Sequence, residues 1–243
     1  IPITERLKTA LFSIFRRNKN NNNSYRHKGP KIIEGGKYKT PEFEFLFTDI
    51  FGKALKSEQG TTLLKLLSTT KAWKDTVGDV AYTSDAFRKS FTTYIKEVAK
   101  GTKDVSRKAI LDAADQYILG HRQGGAVQEA YFNIARPTRK ALEKHLENYS
   151  RIIEGKFKAD KFVKGDTSAK NKHITPYEIR ELINGINELT VMRNGKEVIK
   201  VGNSFIEKQT AVELLIYKGQ SGGRVSEVLP THEFLKDIKY EAG

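Results

Sequence analysis

The residue types that most often carry out catalysis or bind metals are scattered in this sequence. Cysteine is absent, which excludes disulfides, thiolate metal sites and cysteine nucleophiles. The pair Asp112 and Asp115 shares a helical face, but no neighbouring basic or polar residue suggests a metal or an acid–base pair. None of the histidines has a metal-ligating residue three or four positions away; they are His27, His121, His145, His173 and His232. We therefore predict no catalytic residue and no metal site.

Two glycine-rich segments were considered as phosphate-binding loops. The segment from Gly120 to Gly125 precedes a predicted helix, so its backbone amides and Arg122 could hold a phosphate. It lacks the lysine and serine or threonine of a P-loop and the preceding strand of a dinucleotide fold. The segment from Gly219 to Gly223 lacks these signals too. We interpret both as plain loops, and we expect no cofactor.

Positive charge is the most informative property of the chain. The 43 lysines and arginines exceed the 29 acidic residues, which gives a net charge of +14 over 243 residues. Residues 1–40 hold ten basic and two acidic side chains, so more than half of the excess lies in the first sixth of the sequence. A charge distributed in this way favours contact with nucleic-acid phosphates.

The N-terminal segment has the pattern of a basic amphipathic helix. Its apolar residues repeat at helical spacing, at Ile3, Leu7, Leu11 and Ile14, and a polar asparagine tract follows from Asn18. Because that tract has no apolar surface to bury, we predict an extended arm whose four-residue stripe docks on another protein chain. The alternatives are that the stripe folds back on its own helical domain, lies on an anionic membrane surface or remains a solvated tail.

Basic residues in the arm, in a lysine-rich linker and at a hairpin tip are the predicted nucleic-acid contacts. They are Arg16, Arg17, Arg26, Lys28, Lys31, Lys156, Lys158, Lys161, Lys164, Arg193 and Lys196. The last two lie opposite each other across the predicted turn, and an anion between them would relieve their repulsion. Solvation at an exposed tip explains the same pair.

Helix start and stop signals divide the rest of the chain. We predict a mainly α-helical fold with four parts: an arm over 1–40, a helical bundle over 41–155, a linker over 156–173 and a small α+β domain over 174–243. The bundle is expected to begin with an apolar helix from Phe43 to Leu55 that Gly60 closes, followed by a helix opening at Thr61. Four further helices are expected: two ending at Gly101 and Gly120, one around Val127–Ile134 and one ending at Gly155.

The C-terminal part contains the sharpest local signals. Thr175, Pro176 and Glu178 form a capping box at a helix start, and Asn194–Gly195 predicts a type I′ β-hairpin. The run from Ala211 to Tyr217 fits either a buried strand or the end of a helix from Ser204. A strand within 224–229 and a final helix over 231–240 are also expected.

Three function classes follow from these patterns. The first is a non-enzymatic structural component of a large nucleoprotein assembly, such as a virus or phage particle, whose partners are other subunits and non-specifically bound nucleic acid. The second is a free nucleic-acid-binding protein of replication, transcription or packaging. The third is an enzyme whose residues form no motif. No apolar run reaches the roughly 18 to 20 residues of a membrane span, and a virion or cytoplasmic location is expected.

Overall fold

The protein is mostly helical, with a small three-stranded antiparallel sheet near its C-terminus. The computed structural model describes residues 4–20, 26–28, 32–34, 37–39, 42–45, 47–109, 111, 142–156, 163–168, 172–221 and 228–230. The part of the fold class that specifies a mainly α-helical protein is therefore confirmed.

The described elements are as follows. The helices are α1 (Glu5–Asn20), α2 (Ser57–Leu67), α3 (Lys71–Thr76), α4 (Ser84–Gly101), α5 (105–109), α6 (142–153), α7 (Pro176–Leu189) and α8 (Lys208–Ser221). The strands are β1 (Arg26–Lys28), β2 (Ile32–Glu34), β3 (Lys37–Lys39), β4 (Glu42–Phe45), β5 (Thr190–Arg193), β6 (Lys196–Val201), β7 (Ser204–Glu207) and β8 (Val228–Pro230).

One cluster of buried hydrophobic side chains contains residues from both predicted domains. Leu64 of α2 and Phe91 of α4 belong to it, and so do Ile179 of α7 and Leu214 of α8. Helix α7 packs on α2 and α3, and α8 packs on α4. The predicted linker over 156–173 therefore does not separate two cores.

Helix α1 packs on this same core. Leu7, Leu11 and Ile14 are each at most 4% exposed, and the helix lies chiefly against α8. The structure thus shows the alternative in which the stripe folds back, and not the docking on another chain that we predicted. The physical reason is that the chain itself supplies an apolar groove, which no periodicity in the arm could reveal. Ile3 lies outside the described residues.

The segment predicted as the first helix of the bundle is not helical. Strand β4 occupies its start, and a tight loop follows in which Thr48 bridges Ala54. Asp49 accounts for the loop, because its carboxylate accepts backbone N–H bonds from Phe51 and Lys53, each 2.9 Å long. Such local bonds compete with helix formation. Gly52, at φ +78°, completes the turn.

Helix α2 begins earlier than predicted. It starts at Ser57, so that Gly60 is buried inside the helix and does not close a preceding one. Trp73 belongs to the separate short helix α3, which Thr70 caps by accepting from the Trp73 N–H at 3.4 Å. Thr70 lies so close to α7 that a Cβ on Gly185 would come within 2.4 Å of its Oγ1. A glycine inside α7 is what permits this approach.

Two other helix ends are confirmed. Helix α4 ends at Gly101, and α6 ends in a turn at Gly155, where φ is +70°. His145 of α6 is buried, in agreement with its predicted packing role. The helices expected within 112–141 and 231–240 lie outside the described residues, as do Asp112, Asp115 and the loop from Gly120 to Gly125.

The signals around α7 give the structure they predict. The Thr175 side chain accepts from the Glu178 N–H at 3.3 Å, and the Thr175 N–H donates to the Glu178 carboxylate at 2.9 Å. Asn194 and Gly195 have φ of 50° and 73°, as a type I′ turn requires, and β5 pairs with β6 across them.

The ambiguous segment after the hairpin contains both a strand and a helix. Strand β7 pairs with β6 to complete the antiparallel sheet β5-β6-β7, and α8 begins at the next residue. The predicted loop at Gly219 is wrong, because α8 continues to Ser221. A Cβ on Gly219 would lie 3.0 Å from Ile179 Cδ1, so the loss of a side chain there serves close helix packing.

Two small strand groups have no counterpart in the sequence prediction. Strands β1, β4 and β8 form one antiparallel sheet, in which β8 falls at the end of the predicted 224–229 strand. Strands β2 and β3 form a separate pair. The first 45 residues therefore contain strand pairing where an extended linker was expected.

Candidate nucleic-acid interface

The predicted contact residues of the arm have few described side chains. Arg16 and Arg17 lie near the C-terminal end of α1, while Arg26 and Lys28 lie in β1. Lys31 is outside the described residues. The backbone thus places these four basic residues on two different elements that follow each other in the chain.

The lysines of the linker do not form one described surface. Lys156 forms an ion pair with Glu154 at 3.0 Å, and Lys164 donates to the backbone carbonyl of Val77 at 3.3 Å. Lys158 and Lys161 lie outside the described residues. Of this group, Lys156 is the residue that borders the cleft described below.

The hairpin tip satisfies its own charges. Arg193 and Lys196 face each other in the β5–β6 register, as predicted. Lys196 Nζ, however, lies 2.5 Å from a carboxylate oxygen of Glu207, and the Arg193 guanidinium lies 3.8 Å from the centre of the Phe205 ring. Because each cation has a partner within the sheet, the juxtaposition is explained without an anion.

A cleft of about 840 Å³ lies among α1, α6, α7 and α8. Its floor includes the apolar side chains of Ile153, Ile183, Val212 and Ile216. Ile183 and Val212 are only half-buried, so apolar surface remains accessible there. Charged side chains from α1, α6 and α7 surround this floor. A concave apolar surface with a few convergent charged groups is typical of a ligand site.

The end of α6 positions the cationic side of the cleft. The Gly155 N–H bonds to the Ile152 carbonyl and the Lys156 N–H to the Arg151 carbonyl, at 3.0 and 2.9 Å. This Schellman pattern turns the chain sharply at Gly155. The Arg180 guanidinium lies over the turn, 2.9 Å from where a Cβ on Gly155 would be. Glycine thus permits both the backbone conformation and the close approach of Arg180.

Ion pairing divides the cations of the cleft into two kinds. Glu154 binds Arg6 from α1 and also Lys156, so its charge is already matched. Arg151 and Arg180 are exposed, and within the described part of the chain neither has an ion-pair partner. Two guanidinium groups are therefore available at the cleft for an anion, since each presents donors in a planar fork.

Carboxylates border the cleft beside α1. Glu147 accepts a hydrogen bond of 3.1 Å from the backbone N–H of Glu5, which is one of the unpaired donors at the start of α1. Glu5 itself also borders the cleft. The site thus presents hydrogen-bond acceptors as well as cations.

The sequence prediction missed Arg151 and Arg180. Both lie in helices whose apolar periodicity was recognised, but nothing in the spacing shows that residues 29 positions apart meet at one turn. The positive φ of Gly155 was foreseeable as a helix stop, whereas the arginine above it comes from the packing of α7 on α6.

Comparison with protein-family models, curated proteins and solved structures finds no match. Across the described ranges, no helix is both long and apolar enough to cross a membrane. The same residues contain no group of three or more histidine or acidic side chains arranged to hold a metal ion.

Proposed function

We propose that the protein is a non-enzymatic nucleic-acid-binding protein that contacts phosphates without selecting a base sequence. The observation that carries the proposal is the convergence of Arg151, Lys156 and Arg180 on one cleft of a chain with a net charge of +14. Phosphate contacts by such groups release condensed counterions, which supplies affinity independent of sequence.

The position of α1 favours a free binding protein over a structural assembly component. The assembly function was preferred because the stripe of the arm was expected to be available to neighbouring subunits. Leu7, Leu11 and Ile14 are buried against the chain's own helices, so they leave no exposed apolar stripe for a second chain. The positive charge of the arm is independent of this burial and still favours contact with nucleic acid.

Fluorescence anisotropy with labelled single- and double-stranded oligonucleotides of unrelated sequences tests the proposal. We expect similar affinities for all sequences and a steep fall in affinity between 50 and about 200 mM salt. Sequence-selective binding, binding that is insensitive to salt or the absence of binding at low salt would contradict it.

A matched pair of double variants separates the cleft from net charge. Arg151→Gln with Arg180→Gln removes two charges at the cleft, and Lys65→Gln with Lys200→Gln removes two exposed charges on α2 and β6. On duplex DNA, we expect the first pair to reduce the slope of log affinity against log salt by up to about 2, at about 0.9 per phosphate contact. Equal effects of both pairs would show that the cleft has no special role.

Light scattering with and without nucleic acid tests the assembly function. A defined particle of many copies would support it, whereas a monomer that gains only the mass of one oligonucleotide would favour the free binding protein.

A further inference from the structure

We infer that the cleft among α1, α6, α7 and α8 binds a single nucleotide unit, free or at a strand end, with its base on the apolar floor and its phosphate at Arg151 and Arg180. This inference rests on the proposed function and makes it more specific, because a protein that only follows a phosphate backbone needs no base pocket.

The size of the cleft fits one unit. Its volume of about 840 Å³ falls within the roughly 300–1,000 Å³ of small-molecule sites. The Arg6–Glu154 ion pair and the bond from the Glu5 N–H to Glu147 tie α1 to α6 along one side. A bound group is therefore enclosed by helices, and a continuous strand does not lie flat across an open surface.

The charges of the cleft also limit the ligand to one phosphate. Two guanidinium groups without ion-pair partners in the described residues suit one phosphate with several charged oxygens. A strand continuing past them would bring its next phosphate near Glu5 or Glu147, where like charges repel. The same carboxylates accept hydrogen bonds from sugar hydroxyls or from the amino group of a base.

The floor provides the surface for the base. Ile183 and Val212 leave part of their side chains accessible, and Ile153 and Ile216 lie beside them. Contact with the flat face of a base would remove this apolar area from water. Base, sugar and phosphate thus each have a matching group on one cleft, which neither a simple anion nor an apolar ligand would use fully.

Arg180 also has a purely structural role to consider. A cation at the C-terminal end of α6 interacts favourably with the helix dipole. If this were its only role, Arg180→Gln would lower the stability of the protein and leave ligand binding unchanged. The binding measurement is therefore made on variants whose unfolding midpoints are known.

Isothermal titration calorimetry with adenosine 5′-monophosphate, adenosine and ribose 5-phosphate tests the inference on the full chain. We expect saturable binding of the nucleotide, with each fragment at least about tenfold weaker. Arg151→Gln with Arg180→Gln should weaken nucleotide binding about tenfold or more, while Lys65→Gln with Lys200→Gln should change it less than about twofold. Val212→Thr should weaken the nucleotide but not ribose 5-phosphate.

The outcomes separate this inference from the proposed function. If oligonucleotides bind with salt dependence but the nucleotide does not bind, the nucleotide site is overturned and the function stands. If the nucleotide binds but no oligonucleotide does, the site stands and the nucleic-acid function is overturned. Binding of an alternating lysine–glutamate peptide in place of the nucleotide would assign the cleft to a protein segment and overturn the inference.

Discussion

Thr4 and Gln220 are joined by a buried hydrogen bond of 2.7 Å from the threonine hydroxyl to the amide oxygen. The Gln220 amide nitrogen donates in turn to the hydroxyl of Ser150 at 2.8 Å. Thr4 also caps α1 by accepting from the Leu7 N–H at 3.0 Å. One side chain of α8 therefore connects the start of α1 to α6, in the layer beneath the cleft-forming helices.

Substitution of Gln220 by Met should destabilise the protein by about 1–3 kcal/mol, because two buried hydroxyls lose their partner. Urea unfolding followed by circular dichroism measures the change. The triple variant Thr4→Val, Ser150→Ala, Gln220→Met removes the polar groups together and should recover part of the loss. A Gln220→Met variant as stable as the parent would show that the connection contributes nothing.

Leu11→Ala should lower the free energy of unfolding by about 2–5 kcal/mol, because Leu11 is 2% exposed and its loss leaves a cavity under α1. Phe12→Ala is the control on the same helix, since Phe12 is 38% exposed, and its effect should stay below about 1 kcal/mol. Equal stabilities for the parent and Leu11→Ala would mean that α1 does not pack on the core in solution.

Sequence patterns predict the elements whose signals are local. The capping box at Thr175 and the Asn194–Gly195 turn depend on atoms within a few residues, and the structure contains both. The segment from Phe43 to Leu55 shows the limit of apolar pattern alone. Its apolar residues suggested a helix, but the side chain of Asp49 instead holds the backbone in a turn.

The candidate site depended on information that no local pattern carries. Lys156 was selected because it lies in a lysine-rich stretch, whereas Arg151 and Arg180 lie in ordinary amphipathic helices. They become neighbours only because α7 packs on α6 at Gly155. The groove that accepts α1 is likewise formed by helices distant in sequence, so the arm's stripe could not indicate its own destination.

Gly195→Ala should destabilise the protein by about 1–2 kcal/mol, because Gly195 has φ +73° and a side chain is strained in that conformation. No atom outside its chain neighbours lies within 4 Å of the added Cβ, so the cost reports the turn and not a clash. Gly101→Ala is the matched control, since its Cβ also meets nothing and its φ is not positive. We expect that variant to be neutral or slightly stabilised in thermal unfolding; equal losses would contradict a type I′ turn.

Buried Lys218 should make stability depend on pH. Its side chain is 1% exposed, with Nζ 5.8 Å from the centre of the Phe87 ring. Burial lowers the pKa of Lys218 from 10.5 to about 8, although Asp85 acts in the opposite direction. Between these two values the unfolded chain binds more protons than the folded one. The free energy of unfolding should therefore rise as the pH increases from about 8 towards 10.5.

Lys218→Met tests this dependence, because methionine keeps much of the side-chain volume and cannot titrate. We expect the variant to be more stable than the parent by on the order of 1–3 kcal/mol at pH 7, with the difference shrinking towards pH 9.5. Burial raises the pKa of Tyr149, which lowers stability once tyrosines of the unfolded chain ionise near pH 10. Because both proteins share that tyrosine, the difference between their urea midpoints isolates the lysine. A difference that stays constant from pH 7 to 9.5 would show that Lys218 keeps its ordinary pKa in the folded protein.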